Sequence, residues 1–283
     1  MKILVTGAGG QVGTALVERA SAARLDLVAL DRRALDITDA AAVARVLREI
    51  RPGVVINAAA YTAVDRAETE VEAAFAINAL GPENLARAAK EMDIPLLHIS
   101  TDFVFDGAKA GAYVETDAVA PLNVYGQSKA EGEARIAAAM EKYIILRTAW
   151  VFGGAQNFVN TMLRLGESRD ELSIVDDQRG GPTPSLDIAA ALLQMAERVA
   201  APGFRDFGIY HYAGAPAVTW FGFARAIFAG RKAPKLTPIP SEAYPVPAVR
   251  PKNSVLDCRK IKRVFDIDQP DWQAALSKLL AER

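Results

Sequence analysis

The stretch Ile3-Leu4-Val5-Thr6-Gly7-Ala8-Gly9-Gly10-Gln11-Val12-Gly13 decides the fold. A short run of β-type apolar residues passes directly into a glycine cluster, and the cluster into an amphipathic pattern that runs to about Ala22. Strand, tight turn and helix in that order set the free N–H groups and the positive dipole end of a helix beside the carboxyl end of a strand. A dinucleotide pyrophosphate meets backbone N–H groups in such a place. Gly7, Gly10 and Gly13 allow the turn and the close approach, while Gln11 and Val12 open the helix. The structural alternative is a tight turn with helix-on-strand packing, and the position at the start of a βαβ pattern argues against it.

The same alternation continues down the chain. Leu27–Leu30, Val54–Ile56, Pro95–Ile99 and Tyr143–Leu146 read as further buried strands. Helical patterns lie between them, over about Gln11–Ala22 and Asp39–Ile50, and over Glu70–Met92 with a break expected at Gly81-Pro82. Repeated βαβ units with right-handed crossovers give an α/β fold, a Rossmann-type doubly wound parallel sheet. Beyond Val151 the pattern loosens: helices are expected near Asn157–Gly166 and Leu186–Val199, and strands near Leu172–Val175 and Ile209–Tyr212. Six prolines keep Ala233–Lys252 extended or looped. The expected division is a dinucleotide-binding domain of residues 1–150 and about 170–213, with a second, smaller substrate-binding lobe of about 151–169 and 214–283.

Composition narrows the function class. The chain has 283 residues, 51% of them apolar, and a net charge of -1, with no dense Lys/Arg run. Nucleic-acid and membrane-surface roles both rest on positive charge set against phosphate, so neither is expected. No run reaches membrane length, and the apolar start is cut short by glycines, which predicts a cytoplasmic protein. One cysteine, Cys258, and two histidines, His98 and His211, leave little for a disulfide or a metal cluster. His98 lies in a predicted buried strand and reads as a core histidine.

Ligands of doubly wound sheets bind beyond the carboxyl ends of the strands, so the residues there carry the chemistry. After the second strand stand Asp31, Arg32 and Arg33. A carboxylate there accepts hydrogen bonds from an adenosine ribose and a guanidinium holds a 2′-phosphate, so both NADH and NADPH stay open, with two arginines leaning toward NADPH. Asp36 and Ile37 are placed to cover the adenine, and Ala58, Ala59 and Ala60 are small enough to let a dinucleotide lie close to the backbone. Tyr125 and Lys129 are four residues apart and share one face of a helix. A cation near a phenol favours phenolate, so the pair suits proton transfer near neutral pH. Thr101, in Ser100-Thr101-Asp102 at the end of the fourth strand, offers a hydroxyl to a carbonyl oxygen that gains charge.

The glycine loop, the strand-end threonine and the Tyr-x-x-x-Lys pair together resemble the extended short-chain dehydrogenase/reductase family, over nearly the whole chain. Longer strings sharpen the likeness toward its nucleotide-sugar reductases: Asn57–Asp65, Ser100–Phe105, Pro121–Gly126, Arg147–Val151 and Arg250–Asp257. The resemblance implies hydride transfer from a nicotinamide to C4 of a 4-keto sugar in a nucleotide-sugar substrate, while Tyr125 gives a proton to O4. It implies Lys129 at the nicotinamide ribose, Thr101 at O4, and Trp150 packed on the sugar beside Asp102 and Phe103. Arg250 is a candidate for the pyrophosphate and Asn253 for a polar contact beside it, against the alternative of surface charge in a loop.

Some members hold magnesium between acidic residues at a dimer interface. Here Ala15 and Leu186 stand where two glutamates are expected, leaving only Glu282, so no magnesium site and no dimer of that form are expected. A monomer or another homodimer is left open. The rival functions are a nucleotide-sugar epimerase or other reductase of the same fold, and a non-catalytic regulatory subunit like the β subunit of methionine adenosyltransferase.

Overall fold

The computed structural model describes residues 1–282. The first half alternates β1 (Ile3–Thr6), α1 (Gln11–Ala22), β2 (Leu27–Leu30), α2 (Ala40–Ile50) and β3 (Val54–Asn57). It continues through α3 (Val64–Ala67), α4 (Val71–Phe75), a π-helical segment (Ala76–Leu80) and α5 (Gly81–Glu91) to β4 (Leu96–Thr101), α6 (Val124–Ala139) and β5 (Tyr143–Thr148). The second half holds β6 (Val151–Phe152), α7 (Phe158–Ser168), β7 (Glu171–Val175), β8 (Arg179–Gly180), β9 (Thr183–Pro184), α8 (Ser185–Ala200) and β10 (Gly208–His211). Then follow β11 (Val218–Thr219), α9 (Trp220–Ile227), β12 (Lys235–Ile239), α10 (Arg259–Phe265) and α11 (Trp272–Ala281).

Six strands form one parallel sheet in the order β10-β5-β4-β3-β1-β2. β1 and β3 are buried on both faces, which is why they read as unbroken apolar runs. Two apolar clusters cover the sheet. One joins Leu16 and Ala20 of α1 to Ile188 and Leu192 of α8 and Ile261 of α10, and the other joins Val43 and Leu47 of α2 to Leu85 of α5 and Ile136 of α6. The chain leaves β1 toward β2 on one side and returns to β3 on the other. That reversal opens a crevice at the carboxyl ends of β1 and β3, where Gly7 and Ala58 lie.

One sequence expectation is corrected. Gly81-Pro82 does not break the third helical region, which stays right-handed from Val71 to Glu91. The widened π-turn bonds Gly81 N–H back to the Ala76 carbonyl, and Pro82 falls in the first turn of α5, where a missing N–H costs little. The strand expected near Leu172–Val175 is present as β7 and pairs in parallel with β12, more than 60 residues away, from Glu171↔Lys235 to Val175↔Ile239. These strands with α7, α9 and α11 enclose a separate core of Met162, Leu172, Phe223, Ile227, Trp272 and Leu276. No described helix is long and apolar enough to cross a membrane.

Candidate active site

Gly7 adopts φ +75°, and a Cβ there would lie 2.4 Å from the backbone nitrogen of Ala59, so only glycine lets the β1 turn pass the β3 turn. A Cβ on Gly13 would lie 2.1 Å from the Gly7 carbonyl oxygen, which fixes the packing of α1 on the turn. Gly9 has nothing within contact range of a Cβ. On that open side lies a cavity of about 720 Å³ lined by Gly7, Gly10, Asp31, Arg32, Arg33, Asp36, Ile37, Ala58, Ala59 and Ala60, within the size range of cofactor sites. Gln11, Val12 and Gly13 stand behind this wall in the first turn of α1, and Gln11 Oε1 is buried without a protein partner.

The cavity suits a dinucleotide, and the residues after β2 give it a charged wall. Asp31 Oδ1 accepts from the backbone N–H groups of Arg33 and Ala34, at 3.0 and 2.9 Å, so this oxygen shapes its own loop. Arg32 and Arg33 are exposed along the same wall. Asp36 holds Thr38, whose backbone and side-chain hydrogen bonds keep the carboxyl below its ordinary range, and Ile37 packs where a Cβ on Gly81 would clash.

The residues expected to carry the chemistry converge at the end of β4 and the start of α6. Asn123 caps α6 by accepting from Gly126 N–H (2.8 Å) and donates to the Val249 carbonyl (2.7 Å), while Glu68 accepts from Val124 N–H (2.9 Å). Gly126 lets the helix approach the Phe103 carbonyl, where a Cβ would come within 2.2 Å. Tyr125, half-buried, meets Phe103 edge-on at 5.5 Å. Thr101 donates to Asp102 Oδ1 (3.0 Å) and accepts from Phe103 N–H (3.2 Å).

Burial pushes the Tyr125 phenol up to about 12; the Thr101 hydroxyl pulls the other way and the Asp102 charge adds to the rise. Burial likewise brings Lys129 down to about 8 and raises Asp102 to about 6. Desolvation thus works against the phenolate expected from the spacing, and the Tyr125 phenol keeps its proton at neutral pH. Among the described residues, Ser100 Oγ, Asp102 Oδ2 and Thr148 Oγ1 are buried here without a hydrogen-bond partner, an arrangement open to a polar ligand.

A second cavity, of about 740 Å³, lies against the smaller lobe and is lined by Phe103, Trp150, Phe158, Trp220, Tyr244 and Arg250 among others. Trp150 sits at φ 46°, a costly conformation for an aromatic residue, and stacks on Trp220 at 3.6 Å. Arg250 reaches this wall but is held bidentately by Asp65, at 2.6 and 2.7 Å. Asn253 is not brought to the cavity: its amide donates to the carbonyls of Lys109 and Gly111 and its oxygen accepts from Val255 N–H.

Four contributors escaped the sequence reading. Phe158 and Trp220 complete the aromatic wall, and only a local Thr219 cap marked the second. Asn78, in the π-segment, accepts from Tyr61 N–H (2.8 Å) and donates to the Tyr61 carbonyl and to Ser128 Oγ, both at 3.0 Å. Ser128 in turn donates to the Tyr125 carbonyl (2.8 Å), so the Asn78 side chain ties Tyr61 of the first cavity wall to α6. His98 is buried as expected, yet its Nε2 lies 3.0 Å from Lys129 Nζ. Cys258 is buried with its thiol raised to about 12 by desolvation, and lies outside the walls of both large cavities.

Comparison with known proteins agrees with this geometry. The family model described as "RmlD substrate binding domain" matches residues 1–283. The dTDP-4-dehydrorhamnose reductase of Aggregatibacter actinomycetemcomitans is 47% identical, covering 99% of this chain and 98% of its own length. That of Escherichia coli K12 is 42% identical over 100% and 98%. Among solved structures, a dTDP-4-dehydrorhamnose reductase of Clostridium acetobutylicum superposes with a TM-score of 0.94 at 39% identity, covering 100% of this chain and 99% of the other. The Bacillus anthracis enzyme, solved in complex with NADP, gives 0.93 at 36% identity over the full length of both. A six-stranded parallel sheet with a glycine turn at its crevice, matched along its whole length by these reductases, places the chain in the RmlD substrate-binding-domain family, within the extended short-chain dehydrogenases/reductases.

Proposed function

We propose that this protein reduces dTDP-4-dehydro-L-rhamnose to dTDP-L-rhamnose with NADPH, in nucleotide-sugar biosynthesis. The observation that supports the reading is the convergence of Thr101, Tyr125 and Lys129 at the end of β4 and the start of α6, with Tyr125 edge-on to Phe103 of the aromatic cavity wall. NADPH is favoured over NADH because Arg32 and Arg33 lie exposed on the cavity wall, while one oxygen of Asp31 is taken up by its own loop.

The residues of the first cavity suit the dinucleotide: Arg32 and Arg33 for the 2′-phosphate, the Gly7–Gly13 turn for the pyrophosphate and Ile37 for the adenine, while Lys129 of α6, outside that wall, is assigned to the nicotinamide ribose. The nicotinamide, when bound, supplies the hydride for C4. Tyr125 donates its phenolic proton to O4 as that oxygen gains charge, and its high pKa keeps the proton available at neutral pH. Thr101 orients O4 by a hydrogen bond that strengthens with the developing charge. Trp150 and Trp220 pack on the sugar and exclude water, and Arg250, steadied by Asp65, faces the diphosphate.

Neither rival gains a residue. An epimerase acting through Cys and His lacks them in the cavity walls: Cys258 is a buried thiol and His98 lies behind Lys129. The test is cofactor oxidation by pure protein on addition of dTDP-4-dehydro-L-rhamnose, with NADPH and NADH compared. Turnover with a higher kcat/KM for NADPH supports the reading. No turnover with either, together with a stable protein complex recovered from lysate, would favour the regulatory-subunit alternative.

A further inference from the structure

Gln178 stands in the wall of the second cavity with half of its amide unused. The residue is only 9% exposed, and its Nε2 lies 2.9 Å from Ser241 Oγ. Ser241 Oγ lies in turn 2.5 Å from Asp177 Oδ1, which also accepts from Ser241 N–H (2.9 Å). Burial would raise the Asp177 carboxyl, but the Ser241 hydroxyl and N–H and the Lys252 ammonium together hold it below its ordinary range. An ionised carboxylate only accepts, so the Ser241 hydroxyl gives its proton to Asp177 and accepts from Gln178. The amide orientation is thereby settled, with Nε2 toward Ser241. Among the described residues Gln178 Oε1 has no hydrogen-bond partner, and it is not sealed from the cavity.

The chain around Gln178 shows which part of a ligand that oxygen would meet. A Cβ on Gly180, two residues on, would come within 2.6 Å of the Trp150 indole. Arg179 N–H donates to the Lys252 carbonyl (2.8 Å), and Lys252 is two residues past Arg250. Gln178 therefore stands beside both the aromatic wall and the guanidinium assigned to the diphosphate. An amide oxygen cannot bind phosphate, which also only accepts; it needs an O–H or N–H. The nucleotide-sugar reading, on which this step rests, offers two such groups on the thymidine: the 3′-hydroxyl of the deoxyribose and N3–H of the base. The deoxyribose follows directly on the diphosphate, so its hydroxyl is the nearer. We propose that Gln178 is a specificity-determining residue whose Oε1 accepts from the 3′-hydroxyl of the substrate's deoxyribose. A site that holds a buried acceptor for one hydroxyl discriminates against ligands that lack it, because the acceptor is then left unpaired.

The test reads binding and needs no turnover: calorimetric titration of the NADP-saturated protein with dTDP, with 2′,3′-dideoxythymidine diphosphate and with dCDP. Wild type should bind dTDP about tenfold more tightly than the dideoxy analogue, the usual cost of stranding a buried acceptor. Gln178→Met, close in length but without the amide oxygen, should weaken dTDP about tenfold and leave the dideoxy analogue unchanged, so that the preference disappears. Ser241→Ala, which keeps Gln178 but frees its amide to turn, should narrow the preference. A wild type that binds both thymidine ligands equally, or a preference kept in Gln178→Met, overturns the assignment. So does a Gln178→Met protein that loses discrimination against dCDP alone, which would put Oε1 at the base. Folded wild type that binds no dTDP defeats the nucleotide-sugar reading together with the assignment, whereas dTDP bound without regard to its 3′-hydroxyl defeats the assignment alone.

Discussion

Tyr125 shows how burial overrules spacing. Four residues from Lys129 it reads as a phenol tuned down by a cation, but both groups are desolvated and move toward their neutral forms. An acid that retains its proton is what delivery to O4 requires. Tyr125→Phe should lower kcat by about 10²–10⁴-fold, the usual contribution of a positioned acid, with NADPH affinity unchanged by fluorescence titration. Near-wild-type turnover would remove Tyr125 from the role. Asp102 carries the opposite cost. Its carboxyl rises from 3.8 to about 6 through burial, so the folded protein holds that proton more tightly than the unfolded chain. Stability from this group is present at acid pH and lost as pH rises toward and through about 6. Asp102→Asn should therefore raise stability at pH 7, by up to about 3 kcal/mol, with the gain vanishing below the ordinary carboxylate range. Denaturant melts at the two pH values check this, and a loss at pH 7 would mean that the charged form is needed by the fold.

At the scale of elements, local signals were legible and tertiary ones were not. The glycine turn, the β1 and β3 runs and the Tyr125/Lys129 helix are set by neighbours in sequence, and their reading stands in the structure. The π-segment is different. Its Asn78 carbonyl lies where a Cβ on Gly132 of α6 would come within 2.0 Å, so its fit depends on a residue more than 50 positions away. Pro82 hinted at an interruption, but only that packing makes it a widened turn and not a break. Gly→Ala within a helix ordinarily stabilises by about 0.5–1 kcal/mol. Gly132→Ala should instead destabilise by about 1–3 kcal/mol through overpacking, and should lower activity because Asn78 and Ser128 tie the cofactor wall to Tyr125. A rise in Tm would show that the two helices are free to separate.

Across the whole molecule, the two cavities are joined by the segment from Ala58 to Asp65, which lines one with its alanines and anchors Arg250 of the other with its carboxylate. The strings Asn57–Asp65 and Arg250–Asp257 were both legible as motifs, but their meeting, like the β7–β12 pairing, joins distant parts of the chain and has no local signature. The Arg250 hydrogen bonds hold Asp65 below its ordinary range, so its stabilisation is present above that range and lost as pH falls through it. The pair is part-exposed, so Asp65→Asn should cost no more than about 1 kcal/mol. It should raise KM for the nucleotide sugar several-fold with kcat little changed, as steady-state kinetics would show; an unchanged KM would dissociate Arg250 from substrate binding.

The central claim is that the two cavities bring a nicotinamide and a 4-keto sugar together at Tyr125. Turnover of dTDP-4-dehydro-L-rhamnose with NADPH deuterated at the transferable position of the nicotinamide C4 tests it most directly, by NMR location of the label in the product. The account predicts deuterium on C4 of the sugar, one per cofactor oxidised. Label at another carbon, or C4 hydrogen derived from solvent, would contradict it.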